Sequence, residues 1–180
     1  MSITIVTGPP GAGKTTVAAD LARSPSLAVH LIGDQCFHWI TSGFVLPWTS
    51  EAAAQNATVI EVVGGAAARY AEGGYDVFVD VILGPWFLEH FERAAGSGAR
   101  SLNYVILRPS REVALERALG RTGQGDLLDR GPVETLYDKF ENVGLFESHV
   151  VDSTLHRGAA ETAQAVRRRL AQGDFKVAKR

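Results

Sequence analysis

The stretch Gly8-Pro9-Pro10-Gly11-Ala12-Gly13-Lys14-Thr15 follows the apolar segment Ser2–Thr7 and matches the pattern GxxxxGK[ST]. Glycines at these spacings let the backbone turn tightly with its N–H groups directed inward, and a helix that begins directly afterwards adds a positive N-terminal end. Such a loop binds phosphate groups. The pattern predicts that Gly8–Thr16 hold the phosphates of ATP, with Lys14 on the β- and γ-phosphates and the Thr15 hydroxyl on Mg²⁺.

Strand-like and helix-like segments alternate along the whole chain. Strands are predicted at Ser2–Thr7, Ala28–Ile32, Tyr75–Leu83, Leu102–Leu107 and Ser148–Asp152, and helices at Lys14–Ala22, Glu51–Glu72, Pro85–Ala95, Ser110–Leu119, Pro132–Val143 and Ala159–Leu170. Strands separated by helices require right-handed crossovers, which produce a parallel sheet with helices on both faces. The sequence therefore predicts a three-layer α/β/α fold on a five-stranded parallel sheet, with a frayed tail at Gly173–Arg180.

Length and charge limit the function classes. The chain has 180 residues, which fits a single domain over 1–180, and its 18 basic and 20 acidic residues leave a net charge of −2. This balance gives no field that would attract nucleic acid or an anionic membrane surface. One cysteine excludes an internal disulfide, and with no basic leader the expected location is cytoplasmic. We expect a small-molecule partner, no nucleic acid and no membrane, in a monomer or a homodimer.

Three classes of phosphate-loop protein compete for this sequence. A GTPase needs an Asn-Lys-x-Asp segment that reads guanine, and the chain has none. A motor-type or AAA+ ATPase usually has a strand ending in Asp-Glu, whose glutamate activates water, whereas here Asp80 is followed by Val81. A small-molecule or nucleotide kinase needs a base for the acceptor hydroxyl and a segment that closes over the phosphates. The chain offers candidates for both, which favours a kinase.

Two aspartates are expected at the edge of the sheet that carries the phosphate loop. Asp34 follows the second predicted strand, and Asp80 lies near the end of the third. In an open α/β sheet, the loops at the carboxyl ends of the strands line the ligand crevice. Asp34 is therefore a candidate base for the acceptor hydroxyl, with a turn or helix-capping role as the alternative. Asp80 is expected to hold the Mg²⁺ water shell or to help bind the acceptor, unless it caps Pro85–Ala95. Which aspartate is the base stays open.

The polar segment 120–131 is rich in Gly, Asp and Arg, which is typical of a mobile loop. Arg117 and Arg121 are four residues apart and share one helical face, and Arg130 lies at the far end. Guanidinium groups suit the spread charge on a transferring phosphoryl group. We expect the segment to act as a lid, with Arg117 and Arg121 in catalysis and nucleotide binding; solvated surface charge is the alternative. The role of Arg130 stays open.

Aromatic residues are concentrated after the second and third predicted strands. They are expected to line an acceptor pocket: Phe37, Trp39, Phe44, Trp48, Trp86 and Phe87. No arginine lies between Arg23 and Arg69, so this region lacks the bidentate groups that suit a phosphate. We therefore expect an uncharged acceptor with an apolar or ring portion and a free hydroxyl. Packing of the same side chains into the core is the alternative.

Four features in order along the chain resemble small P-loop kinases: Gly8–Thr16, Asp34, Asp80 and Glu116-Arg117 to Arg121. The likeness is greatest to the chloramphenicol phosphotransferase-like and zeta-toxin-like group, with gluconate and shikimate kinases as cousins. It covers most of the chain, although only the phosphate loop is specific. It implies the strand order 2-3-1-4-5 and Asp34 as the base. It also implies that adenine lies between the arginine region and the loop that contains Ser153 and Thr154.

The sequence departs from two kinase patterns. The triple-glycine loop of shikimate kinases is missing, because Gly64-Gly65 falls inside a predicted helix. Leu83-Gly84-Pro85-Trp86 stands where adenylate kinases have an Asp-Gly-Phe-Pro-Arg type segment. Both departures weaken those acceptor assignments. The predicted function is transfer of the γ-phosphate of ATP to a hydroxyl of a small molecule, with ATP and Mg²⁺ as cofactors. The alternative is a nucleotide-binding ATPase, regulator or toxin-like protein without such an acceptor.

Overall fold

The computed structural model describes residues 1–96, 101–120 and 129–178. Its strands are β1 (Ser2–Thr7), β2 (Ala28–Ile32), β3 (Asp76–Asp80), β4 (Ser101–Leu107) and β5 (Val150–Val151). Its helices are α1 (Lys14–Leu21), α2 (Gln35–His38), α3 (Ala53–Glu72), α4 (Pro85–Ala95), α5 (Arg111–Leu119), α6 (Arg130–Glu141) and α7 (Ala159–Gln172). Short 3-10 helices precede α3 at Ser50–Ala52 and precede β5 at Gly144–His149.

The strands form one parallel sheet in the order β2-β3-β1-β4-β5, which confirms the predicted order. In this register Asp80 lies beside Val6 of β1 on one side and beside Ile32 of β2 on the other. The carboxyl ends of the three strands are therefore level. Residues that follow β1, β2 and β3 meet at one edge of the sheet, as parallel α/β folds require of a ligand site.

Helices cover both faces of the sheet, which confirms the three-layer α/β/α prediction. On one face, α3 and α4 pack against strand residues such as Ile5 and Val79, and on the other, α1 and α7 pack against Val6 and Val105. These strand side chains are fully buried on both faces, as expected for central parallel strands. Within the described ranges, no helix is both long and apolar enough to cross a bilayer.

The described part of the C-terminal segment, residues 173–178, packs against β4, so the prediction of a frayed tail was wrong for this part. The Phe175 side chain has no exposed surface, and its carbonyl accepts a hydrogen bond of 2.9 Å from the Tyr104 backbone. The Val177 backbone N–H donates to Leu102 at 2.9 Å. Burial of one aromatic ring holds the segment on β4, and a single ring among polar residues gives no periodic signal in a sequence.

Three local features differ from the sequence prediction. β5 spans only Val150–Val151 rather than Ser148–Asp152, because Ser148 and His149 belong to the 3-10 helix Gly144–His149. β3 ends at Asp80 rather than Leu83, because the Leu83 backbone N–H and C=O both bond the Thr7 hydroxyl, each at 2.9 Å, instead of a strand. This contact fixes the chain after β3 to the end of β1. The short helix α2, directly after Asp34, was not predicted, since four residues are too few to show helical periodicity.

Neighbouring glycines in α3 provide a test of the α3–α4 packing. A Cβ at Gly64 would lie 2.9 Å from the Phe91 carbonyl oxygen, whereas a Cβ at Gly65 would meet nothing within 4 Å. We expect Gly64→Ala to lower the free energy of unfolding by about 1–3 kcal/mol through overpacking. Gly65→Ala, the matched control, should raise it by about 0.5–1 kcal/mol through helix propensity. Urea denaturation measures both, and equal shifts in one direction would contradict the packing described.

Candidate active site

The phosphate loop is wedged between β4 and α5. A Cβ at Gly8 would lie 2.0 Å from the Leu107 carbonyl oxygen, and one at Gly11 would lie 2.0 Å from the carbonyl oxygen of Ala114 in α5. Both positions have positive φ angles, of 141° and 79°. Only glycine meets both requirements without strain. The loop is therefore fixed by its contacts with two elements that lie about one hundred residues further along the chain.

The helix α1 begins inside the motif. Gly13 precedes it in the left-handed conformation, with φ 87°, and a Cβ there would meet nothing within 4 Å. Lys14 is buried, and its Nζ donates to the Pro9 carbonyl at 3.2 Å. Thr15 and Thr16 are exposed in the first turn of α1. A lysine and the N-terminus of α1 thus lie within the motif, and both favour a bound anion.

Asp34 lies where β2 turns into α2. The Gly33 backbone N–H donates to the Asp80 carbonyl at 2.7 Å, which joins the ends of β2 and β3. Asp34 occupies the N-cap position of α2, but its side chain caps no helix N–H. Its Oδ1 accepts instead from the Ile82 backbone N–H at 3.2 Å. The capping alternative is therefore wrong for this side chain, which bonds across to the chain after β3.

Burial raises the pKa of Asp34 above its ordinary value, and the negative charge of Asp80 raises it as well. The positive charge of Lys14, the Ile82 hydrogen bond and the charge of His38 act in the opposite direction and lower that pKa. The carboxylate thus interacts electrostatically with the phosphate-loop lysine and with the second aspartate. A carboxylate with a raised pKa is a better proton acceptor than an ordinary surface aspartate.

Asp80 is 2 % exposed, and its Oδ1 has no hydrogen-bond partner among the described residues. Its Oδ2 lies 3.9 Å from the Nε2 of His30, which also lacks a hydrogen bond in that set. Asp80 does not cap α4, whose N-cap is Gly84. A buried carboxylate oxygen without a partner fits a hydrated cation at this edge.

The described residues contain no group of three or more His, Cys, Asp or Glu side chains that could hold a metal alone. Mg²⁺ in nucleotide sites is usually held by one or two protein oxygens, by water and by phosphates. Asp80 and the exposed Thr15 are the candidate protein oxygens for such a site.

A cavity of about 600 Å³ opens beside Asp34. Its aromatic wall consists of Phe37, Phe44, Trp48, Trp86 and Phe87. These residues come from two separate segments that were predicted from the sequence to face each other across an acceptor pocket. They line open space, and Phe37 and Phe87 also pack against the buried core, so the pocket prediction and the core-packing alternative both hold for these two residues.

Trp39 differs from the other aromatic residues. Its side chain is 68 % exposed and lines a separate depression of about 270 Å³ with Cys36 and Val62. The prediction that Trp39 lines the acceptor pocket was therefore wrong. The turn of α2 directs Phe37 and Trp39 to different sides, a geometry that composition alone does not reveal.

Polar residues from several elements line the cavity. They are His38 of α2, Thr49 and Ser50 before α3, Asn56 of α3 and Lys139 of α6, in addition to Asp34. Sequence reasoning missed Asn56 and Lys139. Asn56 lies on the buried stripe of α3 together with Ile60 and Val63, and a polar residue on an apolar stripe was the available signal. Lys139 lies more than 100 residues from Asp34 and had no local signal.

The nucleotide-binding candidates outside the phosphate loop lie in different environments. Arg117 is exposed on α5, the helix whose Ala114 carbonyl touches Gly11. Arg121 and most of the lid segment 120–131 lie outside the described residues. Arg130 forms an ion pair with Glu134 in α6, with Nε and Oε1 2.8 Å apart.

The loop after β5 contains the two residues expected near adenine. Ser153 is 1 % exposed, and its Oγ has no hydrogen-bond partner among the described residues. The Thr154 hydroxyl accepts from the Ser110 backbone N–H at 2.8 Å and donates to Asp152. Thr154 therefore ties this loop to the start of α5, which also packs on the phosphate loop.

A comparison with known protein families identifies the family of this chain. Residues 4–137, which include the phosphate loop, Asp34 and Asp80, match the family model described as an AAA domain. The chain belongs to the AAA domain family. None of the curated proteins matches its sequence significantly.

Similarity to solved structures identifies the fold of this AAA domain more closely. It is similar to a sugar kinase from Janibacter sp. HTCC2649, with 18 % identity, 95 % of each chain covered and a TM-score of 0.70. It is also similar to a gluconokinase from Sinorhizobium meliloti 1021, with 21 % identity, 96 % of this chain and 94 % of that chain covered, and a TM-score of 0.66. The tunicamycin resistance protein of Deinococcus radiodurans has 19 % identity, 99 % of each chain covered and a TM-score of 0.66. At these identities the likeness establishes the P-loop kinase fold.

The electrostatic coupling of the two aspartates in this AAA domain can be measured directly. Because the charge of Asp80 raises the pKa of Asp34, Asp80→Asn should lower the pKa of Asp34. Carboxyl ¹³C NMR titration of the nucleotide-free protein gives this value. The control is Asp76→Asn, at the other end of β3, where the carboxylate accepts from the Ser2 backbone N–H at 2.7 Å. An unchanged Asp34 titration in Asp80→Asn would contradict the arrangement.

Proposed function

We propose that this AAA domain transfers the γ-phosphate of ATP to a hydroxyl group of a small, uncharged molecule. The observation that carries the proposal is the cavity of about 600 Å³ lined by Asp34, a carboxylate that interacts electrostatically with the phosphate-loop lysine. A hydrolase that transfers phosphate to water has no need of a large apolar cavity beside its base. The two structures named a sugar kinase and a gluconokinase have the same fold and agree with this choice.

Nucleotide binding is assigned to the phosphate loop and its neighbours. Backbone N–H groups of Gly8–Thr16 hold the phosphates, and Lys14 carries the positive charge next to them. Thr15 and Asp80 would hold Mg²⁺, which when bound neutralises charge on the β- and γ-phosphates. By the resemblance to small P-loop kinases, Arg117 and Arg121 would contact the phosphates, and Ser153 and Thr154 would lie beside adenine.

Asp34 is assigned as the general base. The acceptor hydroxyl gives its proton to the Asp34 carboxylate while its oxygen bonds to the γ-phosphorus and the bond to the ADP oxygen breaks. Asp34 lines the cavity and Asp80 does not, so the acceptor reaches Asp34. Asp80, buried between β1 and β2, serves the metal instead.

The cavity walls favour an acceptor with an apolar ring. Five aromatic side chains line it, and none of its lining residues among those described is an arginine. Lys139 and His38 are exposed side chains at the cavity, and a single exposed lysine is a weak site for a phosphate compared with a bidentate arginine.

Release of ADP from ATP, with and without a panel of aromatic alcohols, tests the proposed reaction. Basal release should be low and should rise with one class of alcohol. Lys14→Ala should reduce the stimulated rate by about 10²–10³-fold, because a donor on the transferring phosphate is lost. Rates that no alcohol changes, in a folded protein that hydrolyses ATP steadily, would contradict a kinase and favour the acceptor-free ATPase.

Substitutions of the two aspartates should have different effects on nucleotide binding and on catalysis. We expect Asp34→Asn to retain the affinity for a non-hydrolysable Mg²⁺-ATP analogue and to lose about 10²–10⁴-fold in the transfer rate, the usual contribution of a general base. Asp80→Asn should weaken binding of the analogue itself. Calorimetry and rate measurements on both variants decide this, and equal losses of nucleotide affinity would refute the division of roles.

Tryptophan fluorescence tests the position of the acceptor. Trp48 and Trp86 line the cavity, whereas Trp39 lies outside it. Trp48→Phe should remove a large share of the fluorescence change caused by an aromatic alcohol that stimulates ADP release. Trp39→Phe, the matched control on the same segment, should leave that change intact. The reverse pattern would place the acceptor in the other depression.

A further inference from the structure

Asn56 has a buried amide that is only half satisfied. The residue lies in the first turn of α3, is 9 % exposed and lines the cavity together with Trp48 and Trp86. Its Nδ2 donates to the Pro47 carbonyl at 2.7 Å, which also fixes the orientation of the amide. Its Oδ1 has no hydrogen-bond partner among the described residues. Asn56 therefore lines the cavity and carries one buried acceptor atom that the described part of the chain does not satisfy.

Anchoring of the loop before α3 does not explain why this oxygen lacks a hydrogen-bond partner. The neighbouring residue Gln55 anchors the same loop with both ends of its amide, since Nε2 donates to the Val45 carbonyl at 2.7 Å and Oε1 accepts from the Val45 N–H at 2.8 Å. Gln55 does not line the cavity. Two adjacent amides thus hold one loop. Of the two, only Asn56, which lines the cavity, has an acceptor atom without a hydrogen-bond partner among the described residues.

A ligand that fills the cavity changes the environment of this oxygen. It excludes water from the region around Asn56, and a buried acceptor left without a donor costs about 1–3 kcal/mol. Sites built in this way reject ligands that lack the matching group more strongly than apolar pockets reject a size change. Asp34, His38 and Lys139 also line the cavity, but Asn56 combines burial with an unsatisfied acceptor.

We propose that Asn56 selects the acceptor, which carries a second donor group, an O–H or N–H, besides the hydroxyl that is phosphorylated. This deepens the proposed function and rests on it for the role of the first hydroxyl. The substrate class is then a ring-containing alcohol with two donors. One hydroxyl faces Asp34, the ring lies between Trp48 and Trp86, and the second donor bonds Asn56 Oδ1.

Matched pairs of probes test this assignment without knowledge of the natural acceptor. The two compounds of each pair differ by one hydrogen-bond donor. The first pair is 4-hydroxybenzyl alcohol with 4-methoxybenzyl alcohol, and the second is 6-(hydroxymethyl)-2-naphthol with its methyl ether, (6-methoxynaphthalen-2-yl)methanol. Calorimetry in the presence of a non-hydrolysable Mg²⁺-ATP analogue gives their affinities. For at least one pair, the wild-type protein should bind the donor compound roughly tenfold more tightly, the effect of one hydrogen bond.

Variants separate a hydrogen bond to Asn56 from a steric effect of the methyl group. In Asn56→Leu the preference should fall to about twofold or less, whereas a steric penalty would persist. Asn56→Ala serves the same purpose if the leucine variant does not fold. Gln55→Leu, which loosens the same loop, should keep the full preference. Equal affinities within both pairs in the wild type, or a preference that survives in the Asn56 variant, would overturn the proposal.

Phosphorylation of the same probes is measured separately. A donor preference that depends on Asn56, without any transfer from ATP, would support the donor subsite and contradict the kinase. Transfer to the probes without such a preference would support the kinase and contradict the role of Asn56. The two failures are therefore distinguishable.

Discussion

The level ends of β1, β2 and β3 are the constraint on which the site depends. Asp80 is in register with Val6 and Ile32, so the phosphate loop after β1 and the turn after β2 begin at the same height. The Gly33 hydrogen bond to the Asp80 carbonyl and the Thr7 hydroxyl contacts with Leu83 hold these chain ends together. A parallel sheet thereby brings a phosphate loop and two carboxylates to one edge, although they lie in separate segments of the sequence.

Close packing fixes the phosphate loop against the rest of the molecule. Gly8 approaches the end of β4 and Gly11 approaches α5 so closely that no side chain fits. The start of α5 is in turn bonded to Thr154, in the loop after β5. The helix α5 and the loop after β5, which are predicted to lie around a nucleotide, are therefore connected to the loop that is predicted to bind its phosphates.

Much of this fold could be predicted because its signals are local. The motif around Lys14, the apolar strands and the helical stripes each lie within one short window of sequence. Other features give no signal within one short window of sequence. Lys139 reaches the cavity from α6, Trp39 is turned away by the four-residue helix α2, and Phe175 is held by β4. The role of Asn56 could be read only once its amide was placed beside Pro47 and a cavity.

The central claim is that the γ-phosphate of ATP moves to a carbon-bound hydroxyl in the cavity beside Asp34. ³¹P NMR of the protein with Mg²⁺-ATP and ring-containing alcohols follows this phosphorus directly. The account predicts a phosphate monoester signal that requires the alcohol and is lost in Asp34→Asn. Phosphorus that appears only as inorganic phosphate, at a rate unaffected by every alcohol and by Asp34→Asn, would contradict it.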